Sequence, residues 1–159
     1  MTPNILIADD HGIVREGVIT LIRSIAPNAT IFQAMDFTMT IQQLQETPMQ
    51  LVICDINMPG ANNFQIIESI KKLQPITKIL ILSAYKRHIY ARRYLDAGAD
   101  GYLDKNFSNT EIQGTILALL NNASLHEINT DKDKRSLFSR LSYRELEIAQ
   151  LFVSGLGIL

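Results

Sequence analysis

Leu51-Val52-Ile53-Cys54-Asp55-Ile56-Asn57-Met58-Pro59-Gly60 runs four apolar residues straight into a carboxylate and closes on a Met-Pro-Gly turn. An unbroken apolar run, without polar alternation, is how a strand covered on both faces reads. Working outward, the same grammar recurs on both sides. Ile5 to Ala8 is an apolar run that meets Asp9 and Asp10, and Ile79 to Leu82 is one that meets Ser83. Gly101 to Leu103, just before Lys105, is a weaker strand candidate, and Thr30 to Ala34 is the poorest of the five.

The intervals have helical period. Val14, Val18, Leu21 and Ile25 recur at spacings of three and four, as do Ile66, Ile70 and Leu73, while Ile41 and Leu44 mark a shorter segment. Residues 86 to 97 set Ile89 and Leu95 against Lys86, Arg87, Arg92 and Arg93. Ser108-Asn109-Thr110-Glu111 is a capping box ahead of Ile112, Ile116 and Leu120. Five strand–helix alternations predict an α/β fold, a doubly wound five-stranded parallel sheet with helices on both faces. Right-handed crossovers leave few topologies for it.

The chain of 159 residues suits one domain and a fragment of a second. A formal net charge of -1 is not the balance of a strongly basic nucleic-acid binder. Cys54 is the one cysteine, so no internal disulfide forms; it reads as a small core residue in a reducing compartment. The N-terminus lacks the basic segment of a signal peptide, and no apolar run approaches a membrane span, so a cytoplasmic, soluble protein is expected.

In a parallel α/β sheet the strand ends that carry Asp9, Asp10, Asp55, Ser83 and Lys105 lie along one edge, where such folds bind ligands. Three carboxylates gathered there repel one another, and a hard divalent cation such as Mg²⁺ offsets that repulsion. A carboxylate nucleophile that forms an aspartyl phosphate is an established kind of covalent chemistry. Lys105 would neutralise phosphoryl charge, the Ser83 hydroxyl would donate to a phosphoryl oxygen, and the small Ala84 would leave room for one. Taken singly, each residue has a plainer reading: Asp55 as a turn former, Asp9 and Asp10 as a helix-capping pair, Lys105 as a solvated side chain. Their joint placement at successive strand ends favours the site.

The segments ILIADDH, LVICDINMPG, ILILSA and AGADGYLDK resemble those of two-component response regulators of the NarL/FixJ (LuxR-type) class. The resemblance spans residues 1 to about 120 as a receiver domain with flavodoxin-like strand order 2-1-3-4-5. It implies that Asp55 is the phosphoacceptor, served by a phosphohistidine on a sensor histidine kinase. It implies Mg²⁺ bound directly by Asp10 and Asp55, by the backbone carbonyl of Asn57, and by Asp9 largely through water. Ser83 and Lys105 would contact the phosphoryl group, and Ser83 replaces the Thr of many members. Tyr102 would be a rotating aromatic that reports phosphorylation. His11 invites a metal-ligand reading, but a helix-start residue near the kinase-docking surface is preferred. Lys86, Arg87, His88, Arg92 and Arg93 form a basic face on the fourth helix, read as solvated or partner-facing before nucleic-acid-binding.

Residues 121 to 140 lose the apolar period and read as a linker. Ser142-Tyr143-Arg144-Glu145 is a second capping box, and 141 to 159 resembles the first helix of a LuxR-type helix-turn-helix domain whose support and reader helices do not follow. The expected function is a phosphorylation-switched transcriptional regulator that dimerises when phosphorylated and binds DNA only where that domain is complete. Its chemistry is self-phosphorylation and slow self-dephosphorylation, without turnover of an external substrate. A stand-alone interaction or competitor module is the alternative. A phosphatase passing through aspartyl phosphate is disfavoured, because Asn57 stands where that class needs a second acid.

Overall fold

The computed structural model describes residues 2–60, 64–84 and 87–122, with the backbone alone for 87–90. The expected linker over 121–140, beyond its first two residues, and the helix-turn-helix fragment over 141–159 lie outside the described residues. The order is β1 (Asn4–Ala8), α1 (Gly12–Ile25), β2 (Thr30–Ala34), α2 (Phe37–Glu46), β3 (Leu51–Cys54), α3 (Gln65–Leu73), β4 (Lys78–Ser83), α4 (Arg87–Asp96), β5 (Gly101–Asp104) and α5 (Asn109–Leu120). All neighbouring strands pair in parallel, in the order β2-β1-β3-β4-β5, which is the expected one.

The continuous apolar strands divide their side chains between two faces. Ile5, Ile7, Leu51, Ile53, Leu80 and Leu82 pack with Ile22 and Ile25 of α1 and with Ile116 and Leu119 of α5. Leu6, Ala8, Val52, Cys54, Ile79 and Ile81 pack with Leu44 of α2, with Ile67 and Ile70 of α3, and with Tyr94 and Leu95 of α4. Every residue of β3 is buried, as a central strand requires. The edge strand β2 leaves Thr30 and Gln33 exposed, which explains its weak sequence signal.

The helix ends follow their local chemistry. Asp36 caps α2 by accepting from the Met39 N–H at 2.7 Å, and Ser108 with Glu111 closes the capping box of α5. The cap of α1 is His11, whose own side chain makes no capping bond, while Asp9 Oδ1 accepts from the His11 N–H at 2.8 Å. After α4, Ala99 N–H reaches Tyr94 O at 3.0 Å and Gly98 N–H reaches Leu95 O at 3.1 Å, with Gly98 at φ 117. This is a Schellman ending, and it directs the chain into β5.

Opposite the strand ends that matter for function, the side-chain amide of Gln74 joins four partners. Its Nε2 donates to Leu44 O at 2.7 Å and to Thr47 O at 2.8 Å, and its Oε1 accepts from Met49 N–H and Thr77 Oγ1, each at 2.8 Å. Nearby, Asp100 accepts from Lys71 Nζ at 3.0 Å and from the Ile79 N–H at 2.9 Å.

Candidate phosphoacceptor and cation site

β1 and β3 are adjacent and in register, with Ala8 beside Cys54, so Asp9 and Asp55 emerge side by side where the strands end. The pairing continues one residue further: Asp55 N–H donates to Ala8 O at 2.9 Å, and Asp9 N–H donates to Ala34 O at 3.1 Å. Both aspartates are nearly sealed from solvent, at 3% and 4% exposure, whereas Asp10 and His11 are exposed. Arg15, one turn into α1, fixes the bend after β1 by donating from Nη1 to Asp9 O at 2.7 Å.

β4 and β5 bring in the rest. Lys105 N–H donates to Ser83 O at 2.6 Å, which seats the lysine beside the end of β4. Lys105 Nζ then reaches back across the strand ends to Asp9 Oδ2 at 3.2 Å and to Asp55 Oδ2 at 3.4 Å. Ser83 is fully buried at the terminus of β4. Asn57 turns its side chain outward, and its backbone N–H donates to Asp55 Oδ1 at 3.2 Å. That bond holds the carboxylate orientation from the start of the Met58-Pro59-Gly60 loop, where Gly60 sits at φ 93.

One ligand atom from each of Asp9, Asp10, His11 and Asp55 lies within 4.8 Å of the others. Three carboxylates against one ammonium leave a formal charge of minus two, which a divalent cation balances. Carboxylate oxygens at this separation are the donor type that Mg²⁺ takes, so the residues present fit such an ion. Beneath the pocket, burial pushes the Cys54 thiol up, and the charges of Asp55 and Asp9 push it further. Cys54 is therefore a protonated core residue with no part in the chemistry.

Tyr102 of β5 is 4% exposed. Its ring lies 5.7 Å from that of Tyr94 on α4, which in turn lies 4.9 Å from Phe64 at the start of α3. The sequence singled out Tyr102 but not Tyr94 or Phe64. The detectable signal was the Ala91, Tyr94, Leu95 spacing on α4, one buried stripe among charged neighbours. Of the basic face expected on α4, Arg92 and Arg93 are exposed, and Arg92 faces Asp96 one turn on at 3.9 Å. Lys86 lies outside the described residues, as do the side chains of Arg87 and His88.

Residues 5–117 match the family of response regulator receiver domains. The chain is 30% identical over 162 residues to the Fimbriae Z protein of Escherichia coli strain K12, an alignment covering 97% of this chain and 77% of that protein. It is similar to the crystal structure of a LuxR-family two-component response regulator from Aurantimonas sp. SI85-9A1, with a TM-score of 0.71 and 29% identity over 78% of this chain and 89% of that one. It is also similar to a response regulator from Burkholderia pseudomallei solved with a phosphorylated aspartic acid, a calcium ion and citrate. There the TM-score is 0.60, with 26% identity over 74% of this chain and 66% of that one. Among the described residues, no helix is long and apolar enough to cross a membrane.

Proposed function

Because this chain belongs to the response regulator receiver domain family of two-component systems, we propose that it works as a phosphorylation switch whose acceptor is Asp55. The observation that carries this reading is the buried Asp55 carboxylate, held by the Asn57 N–H and flanked by Asp9, Asp10 and Lys105.

In the proposed reaction an Asp55 carboxylate oxygen attacks phosphorus of a phosphohistidine on a sensor histidine kinase. The new P–O bond forms as the P–N bond breaks, and the imidazole leaves with the electron pair. A Mg²⁺ ion held by Asp10, Asp55, the Asn57 carbonyl and, through water, Asp9 would supply charge neutralisation for the transferring group. Lys105 offers its ammonium to the phosphoryl oxygens, exchanging part of its present contact with Asp55 for them. Ser83 offers its hydroxyl from the end of β4. The phosphoryl group adds about 1.5 to 2 negative charges, and the pull on Ser83 and Lys105 would shift β4 and β5 and the Tyr102 ring packed on Tyr94. The face of α4, β5 and α5 changes with them, and dimerisation follows. The similarity to a regulator solved with a phosphorylated aspartic acid and a calcium ion supports the acceptor and cation assignments.

In this reading residues 1–120 are the receiver, 121–140 the linker and 141–159 the start of a LuxR-type DNA-binding domain. DNA contact needs that domain's support and reader helices. The chain does not turn over an external substrate; its chemistry stops at its own phosphorylation and slow loss of the group. The test is intact-mass spectrometry after incubation with a small acyl phosphate and Mg²⁺. Wild type should gain one phosphoryl group, and Asp55→Ala should gain none. Equal labelling of both proteins sinks the assignment.

A further inference from the structure

The peptide between Asp9 and Asp10 lies where the sheet gives way to α1. On the sheet side the backbone is fixed by the Asp9 N–H, which donates to Ala34 O at 3.1 Å. On the helix side a side chain takes the Asp9 carbonyl: Arg15 Nη1 donates to it at 2.7 Å. A peptide unit is planar, so holding that oxygen also sets the direction in which the chain leaves toward the Asp10 Cα. The guanidinium is itself aimed, because its Nε donates to Gln33 Oε1 at 3.1 Å. Gln33 is in register with Ile7 and so projects from the sheet face that α1 covers. Gln33 is exposed and adds little to the core; what it presents to α1 is an acceptor. Neither acceptor of Arg15 is charged, so Arg15 acts on them through the shape of its fork.

We propose that Arg15, aimed by Gln33, is a positioning residue of the phosphotransfer site: it fixes where the Asp10 carboxylate stands against Asp9 and Asp55, and thereby sets the affinity of the pocket for its cation. The inference rests on the cation and acceptor reading given above. Groups that orient metal ligands without touching the ion carry roughly 10- to 100-fold of affinity. Arginine suits this task and lysine does not. The planar guanidinium offers Nε and Nη1 to two acceptors at once in a fixed geometry, whereas an ammonium is a point charge on a flexible stem.

The test uses the full chain. Calorimetry gives Mg²⁺ affinity, and labelling of Asp55 by a small acyl phosphate is followed across a range of Mg²⁺ concentrations. Arg15→Ala and Arg15→Lys should each weaken Mg²⁺ binding about tenfold or more. The Mg²⁺ concentration for half-maximal labelling should rise by the same factor, while the rate at saturating Mg²⁺ falls much less. Gln33→Ala should shift affinity in the same direction by a smaller factor and add nothing to Arg15→Ala. Gln33→Glu, which keeps an acceptor for Nε, should recover most of that loss. Wild-type affinity in Arg15→Ala, full affinity in Arg15→Lys, or additive losses from Arg15→Ala and Gln33→Ala overturns the positioning role. Should the Arg15 variants not fold, the contrast between Gln33→Ala and Gln33→Glu at its exposed position decides alone. If Mg²⁺ fails to bind wild type, or binds Asp10→Asn as it binds wild type, the pocket reading falls and this inference with it.

Discussion

Asp55 is a buried carboxylate with two acidic neighbours and one ammonium, and its charge is unfavourable wherever no cation is added. Neutralising it should relieve repulsion and keep the Asn57 N–H bond, because an amide oxygen accepts as the carboxylate does. Asp55→Asn is therefore expected to raise unfolding stability by roughly 1–2 kcal/mol in metal-free buffer, given unit-charge interactions of about 1–4 kcal/mol at 4 Å. Urea unfolding with and without Mg²⁺ measures it, and saturating Mg²⁺ should shrink the difference. A destabilised variant would contradict the charge balance described for the pocket. At this scale the acidic residues and Lys105 were legible in the sequence, since a parallel sheet forces the ends of successive strands onto one edge. The contact of the His11 ring with the Asp9 carboxylate, at 2.8 Å, was not. Its position depends on a side-chain rotamer and on where the Asp9 carboxylate ends up, neither of which a spacing encodes. The aromatic contact of Tyr102 with Tyr94 was hidden for the same reason.

At the scale of elements, two glycines in helical contexts carry opposite expectations. Gly98 ends α4 at φ 117, a conformation that L side chains rarely adopt, although a Cβ there would make only ordinary contacts with Ile67 Cγ2 at 3.5 Å and Lys71 Cγ at 3.7 Å. Gly17 lies inside α1, where a Cβ would meet nothing within 4 Å. Gly98→Ala should cost about 1–3 kcal/mol through backbone strain. Gly17→Ala should stabilise by about 0.5–1 kcal/mol through reduced freedom of the unfolded chain. Thermal unfolding of the two variants compares them directly, and the same sign for both would refute the assignment of Gly98 to the Schellman ending. The strands were legible in proportion to their burial. β1, β3 and β4 announce themselves as apolar runs because both faces are covered, while β2 is covered less and was the faintest. The capping box of α5 was readable outright, because Ser and Glu three residues apart satisfy each other's backbone partners. The ending of α4 was not read, since a lone Gly after a charged helix has many uses.

For the whole molecule, the sheet is a wall shared by two apolar layers. Ile22 belongs to the layer of α1 and α5, and Ile70 to the layer of α2, α3 and α4; both are fully buried. Ile22→Ala and Ile70→Ala should each cost about 2–5 kcal/mol. Since the two side chains lie on opposite faces and share no partner, the double variant should lose the sum to within about 0.5 kcal/mol. Urea transitions followed by circular dichroism decide this, and a second unfolding step in either single variant would mean that the layers do not melt as one. Strand order was legible only through the family resemblance, because alternation and handedness narrow the topologies without choosing among them.

The Gln74 amide has a consequence of its own. It fastens the ends of α2 and α3 to the segments that lead into β3 and β4, with four bonds that involve no ion. Dissolved salt weakens attractions between charges and leaves amide bonds of this kind untouched. Raising ionic strength therefore leaves this fastening at full strength while it alters the balance between three carboxylates and Lys105, so the molecule's response to salt is concentrated at the end where its chemistry happens.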